Sequence, residues 1–352
     1  STGVYWKPVY SILEEFFDII LVNARHIKNV PGQKTDKKDS EWIAKLLLSG
    51  LLKGSFVPPQ HIRELRTLYR HRRKLIGMRT AEKNRLQNIL EDANIKLGSV
   101  LSDVFGVSGK AMVESIAAGW NDPEKLASLA KGSLVKKHDV LVKSLTGKVT
   151  QNHRFMLNLV LQSIQHINNQ IARIEAQMDK YKIQMKQEMQ LLQSIPGVSA
   201  QIATGIIAEI GTDMRQFPTH ANLASWAGVC PGNNESAGKK YSSKTTHGNK
   251  YLKTTLVEAA WAASRSKVNP IMADKHRRIA ARRGRKKATI AIGHKILTAA
   301  YHVLRDFEPY QPSNQDKEIL ERRRLKRIER LEKQLSSLKN TSYAKGRPFF
   351  GG

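Results

Sequence analysis

Apolar side chains at alternating steps of four and three residues constrain the fold most strongly. Within residues 156–193 they fall at Val160, Ile164, Ile167, Ile171, Ile174, Met178, Tyr181 and Met185. This spacing lines one face of a helix for more than three heptads and is typical of a coiled coil. We therefore expect a rod-like helix that separates two ends of the molecule. Its partner is either a second helix of the same chain or another subunit, and the spacing leaves both open.

A second long helix is predicted over residues 60–97, directly after Pro58 and Pro59. Its apolar stripe consists of Ile62, Leu65, Tyr69, Leu86, Ile89, Leu90, Ala93 and Leu97. The middle of this helix is strongly basic, because residues 63–85 hold nine Lys or Arg and two Glu. We interpret that face as a nucleic-acid contact and expect Arg70, Arg72 and Arg73 to take part. The alternative is a solvated face without a partner.

The charge of the whole chain also indicates a polyanionic partner. Over 352 residues, 59 Lys or Arg outnumber 30 Asp or Glu, for a net charge of +29. Neutralising phosphates with such a surface releases counterions and drives binding, whereas a cationic membrane binder is the alternative. No stretch of roughly 18 uncharged apolar residues could span a bilayer, and the N-terminal segment is not a signal peptide. Cys230 is the sole cysteine, which excludes a disulfide framework and a multi-cysteine zinc site and fits a reducing, cytoplasmic setting.

The remaining segments complete a mainly α fold. We expect a helix over residues 9–22 leading into a short strand, and a helix from Asp36 to Leu52. Residues 98–150 form a looser helical region, residues 194–307 a compact helical region, residues 316–339 a charged helix, and the tail a disordered or interacting peptide. These segments suggest divisions at 1–59, 60–193, 194–307 and 308–352.

Residues 195–199, Ile-Pro-Gly-Val-Ser, read as the turn of a helix-hairpin-helix. Gly197 would let the backbone approach a phosphate closely, and Ser199 would cap the second helix. The free N–H groups at that helix start, with Val198 in the turn, would then grip DNA backbone without reading bases. A purely structural turn is the alternative.

Ser236 lies in a stretch of small and polar residues that we expect to be an exposed loop. Lys239, Lys240, Lys244 and Lys250 follow it, and no acid intervenes before Lys253. A serine attacks a phosphate only when it is deprotonated and the phosphate charge is screened, and these lysines could supply the screening. The alternative is a loop serine without chemistry.

Two further segments are candidate binding sites, one for a divalent cation and one for nucleic acid. Asp36 and Asp39 are three residues apart, so that they share a helical face and could bind a divalent cation; they could equally be acids that favour a helix start. Residues 275–287 hold eight Lys or Arg and no acid, and are either a nucleic-acid contact or a solvated loop. The contact residues would include Arg282, Arg283, Arg285, Lys286 and Lys287.

Taken in order along the chain, these motifs resemble the IS110 family of insertion-sequence transposases, the bridge-RNA-guided serine recombinases. The resemblance rests on STGVYW, KTD-x-x-D, IPGV and WAGVCPGNNESAGK…HGNKYL. It implies a RuvC-like (RNase H-like) α/β domain whose Asp-Glu-Asp-Asp tetrad binds magnesium, a coiled coil, and a transposase domain with a nucleophilic serine. Asp36 and Asp39 match the third and fourth acids, and Ser236 matches the nucleophile. The first Asp and the Glu have no counterparts, so we expect an N-terminally incomplete chain that holds a remnant of the RuvC-like domain.

The same resemblance implies that Ser236 attacks a DNA phosphodiester with help from Mg²⁺ on the acids. It also implies target and donor DNA chosen by a structured bridge RNA, and a homo-oligomer, dimer or tetramer, in which different subunits complete each active site. Two alternatives stay open at this point. One is a RuvC-like metal-dependent nuclease or junction resolvase, and the other is a non-catalytic nucleic-acid-binding scaffold.

Overall fold

The computed structural model describes residues 3–23, 36–52, 54–232, 234–237, 239–242, 244–266 and 270–345. Most of these residues are helical, which confirms the mainly α fold class. Among the described residues, strand pairing is confined to one two-stranded hairpin and two isolated bridges. The RuvC-like character of the N-terminal segment therefore stays an expectation.

The N-terminal helix α1 spans Trp6–Leu13, and so it begins and ends earlier than the predicted helix over residues 9–22. The apolar residues that follow it do not continue the helix. Val22 instead forms an isolated bridge with Gly54, at the position of the predicted short strand.

The helix α2 spans Asp36–Leu48 and begins where the sequence predicts. It ends four residues before the predicted Leu52, because Gly50 takes the left-handed conformation with a φ of 66° that commonly terminates a helix.

The long basic helix α3 spans Gln60–Asp92. Asn94, with a φ of 56°, ends it earlier than the predicted residue 97. Four short helices follow, namely α4 Leu97–Val100, α5 Val107–Ala117, α6 Pro123–Ala127 and α7 His138–Leu145, with a 3₁₀ turn at Gly132–Lys137. They enclose a separate apolar core with Leu86, Met112, Ile116 and Leu141 at its centre.

The helix α8, Gln151–Gln184, lies antiparallel to α3. The direction follows from the cross-helix contacts. His153 contacts Asp92 at 2.9 Å, whereas Tyr181 donates to Glu64 at 2.8 Å at the other end of α3.

The seam of this helix pair is buried within one chain. On α8 the buried residues are Leu157, Val160, Ile164, Ile167, Ile171 and Met178, and on α3 they are Ile62, Leu65, Tyr69, Leu75, Leu86 and Leu90. Of the two partners that the spacing left open, the structure shows the intrachain one. Because α8 ends at Gln184 and a new helix starts at Lys186, the predicted seam helix is divided near its end.

At the opposite end of the rod a larger core assembles around α10. The helices here are α9 Lys186–Gln193, α10 Ala200–Ile210, α11 His220–Ala227, α12 Lys250–Arg265, α13 Pro270–Arg283 and α14 Arg285–Asp306, with a 3₁₀ turn at Met214–Gln216. The strands β1 Asn234–Ser236 and β2 Lys239–Ser242 lie between α11 and α12. Every residue of α10 from Ala203 to Ile210 is buried, because helices pack on several of its sides.

The last helix, α15, spans Asn314–Lys345. Its beginning is tied to the core by an ion pair between Lys295 and Asp316 and by Arg323, which donates to Asp274 at 2.7 Å. Among the residues described, no helix combines the length and the apolar character needed to cross a bilayer.

Candidate active site and nucleic-acid interface

Ser236 lies at the tip of an antiparallel β-hairpin rather than in an unpaired loop. Ser236 pairs with Lys239, and Glu235 pairs with Lys240, so that only two residues separate the strands. Ala237, the first of the two, has a φ of 49°. Two-residue hairpin loops need such left-handed backbone, which costs an alanine about 1 kcal/mol. The strand pairing therefore holds the backbone of Ser236 next to a tight turn.

The segments before and after the hairpin approach each other closely at Gly228 and Gly248. A Cβ on Gly248 would lie 2.3 Å from the backbone nitrogen of Gly228. The two backbone segments can therefore approach this closely only because residue 248 has no side chain. Further out, Gly232 N–H donates to the carbonyl of Lys244 at 2.9 Å, and Thr246 N–H donates to the carbonyl of Cys230 at 3.2 Å. These contacts fix both ends of the segment that carries Ser236.

A buried carboxylate clamps the base of the hairpin. Glu209, at the end of α10, is 0 % exposed. Arg70 from α3 donates to both of its oxygens, at 2.8 and 2.7 Å. Asn249 Nδ2 donates to Oε2 of Glu209 at 2.6 Å, and the Asn249 side chain also caps the start of α12. One carboxylate therefore joins the basic helix α3, the core helix α10 and the residue that follows the hairpin.

Arg66 strengthens the same junction through the backbone. Its guanidinium donates to the carbonyls of Ala208 and Glu209 at 2.9 and 2.8 Å. Burial lowers the pKa of Arg66 to about 10, which still leaves the group protonated at neutral pH. These carbonyls lie in the last turn of α10, where a cation is favoured by the helix dipole.

Cys230, at the start of the hairpin segment, is half-buried. Burial raises the pKa of its thiol, which lowers the thiolate fraction at neutral pH. This environment disfavours Cys230 as a nucleophile.

In the predicted phosphate-binding turn, Gly197 has a structural role. Gly197 has a φ of 85°, and a Cβ there would lie 2.4 Å from the carbonyl oxygen of Ala259 in α12. Val198 is buried, whereas Ser199 is exposed and caps α10 through the N–H of Ile202. The glycine thus lets the turn pack against α12, and the exposed part of the turn is the helix start at Ser199.

The three arginines predicted from the basic helix all contact carboxylates within the chain. Arg70 binds Glu209, Arg72 donates to Glu175 of α8 at 2.7 Å, and Arg73 donates to Glu258 of α12 at 2.5 Å. These ion pairs attach α3 to three different helices, an internal role that the sequence analysis did not foresee. Arg70 and Arg73 also line a groove that the sequence analysis missed.

That groove, which we call the basic groove, has a volume of about 1290 Å³. Its walls are α1, α3, the end of α8 and the start of α12, and seven of its lining residues are Lys or Arg against one acid, Glu64. The lining cations are Lys7, Arg63, Arg66, Arg70, Arg73, Lys74 and Lys250. A smaller cavity at the hairpin base shares Arg70 and Lys250 with it. The sequence does indicate one wall of the groove, because cations recur along α3 at steps of three and four. The other walls come from segments distant in sequence, so the groove itself could not be predicted from α3 alone.

The remaining predicted cations are presented to solvent. Lys239, Lys244 and Lys250 are exposed. Arg282, Arg283, Arg285, Lys286 and Lys287 are exposed as well and surround the turn between α13 and α14, where Gly284 has a φ of 83°. The side chain of Lys240 lies outside the described residues.

Asp36 and Asp39 occupy the first turn of α2 and stand three positions apart, which is the spacing of residues on one helical face. Their side chains and that of Ser236 lie outside the described residues. Two carboxylates at this spacing suit part of the oxygen shell of a hard divalent cation. Among the side chains that are described, no group of three acids, histidines or cysteines could hold a metal.

Comparison with known protein families matches two separate segments of the chain to transposase models. Residues 1–95 match the DEDD transposase model of IS110 elements, and residues 189–277 match the transposase model of the IS116/IS110/IS902 family. The first match contains α2 with its two acids and the basic helix α3, including Arg70 of the clamp, and the second contains the Ser236 hairpin with Glu209 and Asn249 of the clamp. The chain therefore carries domains of the IS110/IS116 transposase family, for which a divalent metal is the expected cofactor.

A curated relative agrees with this assignment. A "Probable family 20 transposase" of Pseudomonas aeruginosa strain PAO1 is 23 % identical over 241 residues, which cover 68 % of this chain and 62 % of that protein. The match thus spans less than two thirds of the length of the relative.

Proposed function

We propose that this chain is an RNA-guided DNA recombinase, a transposase in which Ser236 is the nucleophile. The observation that carries the proposal is the placement of Ser236 beside the turn of a hairpin whose base is clamped by Glu209, Arg70 and Asn249. A nucleophile must be held in place while a large substrate moves past it, and a clamped hairpin supplies that rigidity.

In the proposed reaction, the Ser236 oxygen forms a bond to a DNA phosphorus as the bond from that phosphorus to a deoxyribose oxygen breaks. The serine proton passes to a base, and the leaving oxygen takes up a proton to become a hydroxyl. The product is a covalent phosphoserine that keeps the energy of a phosphodiester, so that a hydroxyl from another strand can reverse the step and rejoin the DNA. Lys239 on the hairpin and Lys244 just after it are both exposed and would screen the charge of the phosphate.

Asp36 and Asp39 would hold Mg²⁺ together with acids from elsewhere, and a bound Mg²⁺ would polarise the phosphate. The substrates we propose are target and donor DNA, selected by pairing with a structured bridge RNA. The exposed cations around Gly284 would bind nucleic-acid backbones without base preference. A dimer or tetramer would bring the acids of one subunit to the serine of another.

The test is strand exchange by Ser236→Ala, with Ser242→Ala as the matched control on the opposite strand of the hairpin. Ser242 also offers a hydroxyl, which accepts from the Lys244 N–H at 3.2 Å, but it lies away from the turn. We expect Ser236→Ala to abolish exchange while RNA and DNA binding stay within about twofold, since no phosphate-contacting charge is lost. Full exchange by Ser236→Ala, or an equal loss in both variants, would refute the serine mechanism.

A further inference from the structure

The basic groove combines cations with aromatic rings. Trp6, Tyr181 and Tyr251 line it beside the seven Lys or Arg residues. The Arg70 guanidinium lies 4.3 Å from the ring centroid of Tyr251, and the Lys250 ammonium lies 5.3 Å from it. The combination of cations and aromatic rings distinguishes the groove from the exposed turn at residues 282–287, where every residue except Gly284 is Lys or Arg.

The cations of the groove fall into two sets with different uses. Arg63, Arg66, Arg70 and Arg73 are engaged with protein acceptors. Lys7, Lys74 and Lys250 are exposed and form no ion pair among the residues that the structure describes. The engaged arginines fix the shape of the groove, and the exposed lysines can exchange water for phosphate oxygens.

Aromatic rings in a cationic groove recognise exposed base faces. A single strand presents both its phosphates and the faces of its bases, whereas a duplex hides those faces within its stack. The Tyr251 ring, with the Arg70 guanidinium over it, offers an aromatic surface and a cation that can both contact a base. A duplex would gain only phosphate contacts here, and it would need a wide open surface rather than a groove.

We infer that the basic groove binds a single-stranded segment of nucleic acid, of RNA or of DNA, and guides it toward the base of the Ser236 hairpin. The smaller cavity at the hairpin base shares Arg70, Lys250 and Tyr251 with the groove, which gives the direction. This inference deepens the proposed function by naming the strand state of the bound substrate. It requires no catalytic step.

The test uses the full chain carrying Ser236→Ala, so that strand cleavage does not enter the measurement. Fluorescence anisotropy gives the Kd for a labelled oligothymidylate, an oligouridylate and a DNA duplex of equal length. The variants are Tyr251→Leu and Trp6→Leu, which remove an aromatic face from different helices, and Lys74→Ala. The matched charge control is Lys110→Ala, an exposed lysine of α5 that pairs with Glu114 and does not line the groove.

We expect each aromatic substitution to weaken single-strand binding at least about fivefold and duplex binding less than twofold, since stacking acts only on exposed bases. Lys74→Ala should flatten the log-affinity against log-salt slope by about 0.7 on single strands, and Lys110→Ala should leave it unchanged. The two oligonucleotides distinguish RNA from DNA as the preferred strand.

Unchanged single-strand affinity in both aromatic variants would overturn the inference. An equal loss on the duplex would also overturn it, because it would show that the groove contacts phosphates alone. Neither outcome bears on the nucleophile, which is tested separately by strand exchange in Ser236→Ala.

Discussion

Removing the Glu209 carboxylate tests whether the hairpin clamp stabilises the fold. In Glu209→Ala, the Arg70 guanidinium and the Asn249 amide lose a fully buried acceptor. Removing one member of a buried ion pair typically costs 3–5 kcal/mol, since its partner stays buried without compensation. The Arg70 side chain is 35 % exposed and can regain part of its hydration, which places the expected loss at the lower end, about 3 kcal/mol.

Thermal unfolding followed by circular dichroism measures this loss. At roughly 2–4 °C per kcal/mol for a domain of this kind, Glu209→Ala should lower Tm by about 6–12 °C. Glu209→Gln keeps the volume and one acceptor oxygen but loses the charge, so it should cost about half as much.

The matched control is Glu175→Ala, which removes the partner of Arg72 on the rod. The Glu175 side chain is 42 % exposed, and such ion pairs contribute less than about 1 kcal/mol. If Glu209→Ala and Glu175→Ala lowered Tm equally, the clamp would be an ordinary surface contact and our reasoning about its burial would be wrong.

Three further predictions concern the rod, the basic turn and the acids of α2. Ile171→Glu places a charge in the buried α3–α8 seam and should cost about 2–4 kcal/mol in thermal unfolding, while light scattering shows an unchanged oligomer mass because the seam is intrachain. An unaffected Tm would contradict that assignment. Neutralising Arg282, Arg283 and Arg285 together should weaken RNA and DNA binding at all sequences and flatten the salt slope by about 0.9 per lost duplex contact; slopes that overlay those of the parent would remove the turn from the binding surface. Replacing either acid in the first turn of α2 by Asn should lower strand cleavage at least about tenfold across a magnesium titration, because a hard cation loses a charged ligand; activity equal to that of the parent would leave the acids as helix-start residues.

The rod was predictable because its signal is local. Apolar steps of four and three determine which face of α8 is buried, and the same reasoning located the stripe of α3. The choice between an intrachain and an intersubunit partner was not predictable, since it depends on how the helices between residues 92 and 151 fold the chain back.

The clamp and the groove could not be predicted from local patterns. Glu209 is the sole charged residue of α10, and such an isolated acid indicates a buried partner, but its partners Arg70 and Asn249 are 139 and 40 residues away in sequence. The hairpin was missed because its strands are short and polar, and its pairing depends on the close approach of Gly228 and Gly248. The assignment of Ser236 as the nucleophile stays a prediction.

The central claim is that Ser236 becomes covalently attached to DNA. The most direct measurement incubates the protein with bridge RNA, Mg²⁺ and a donor DNA carrying a nick that prevents rejoining, then digests the product and sequences the peptides by mass spectrometry. We predict a phosphodiester-linked nucleotide on the peptide that contains Ser236, and its absence in Ser236→Ala but not in Ser242→Ala. Strand cleavage without any protein–DNA adduct, or an adduct on another residue, would contradict the account.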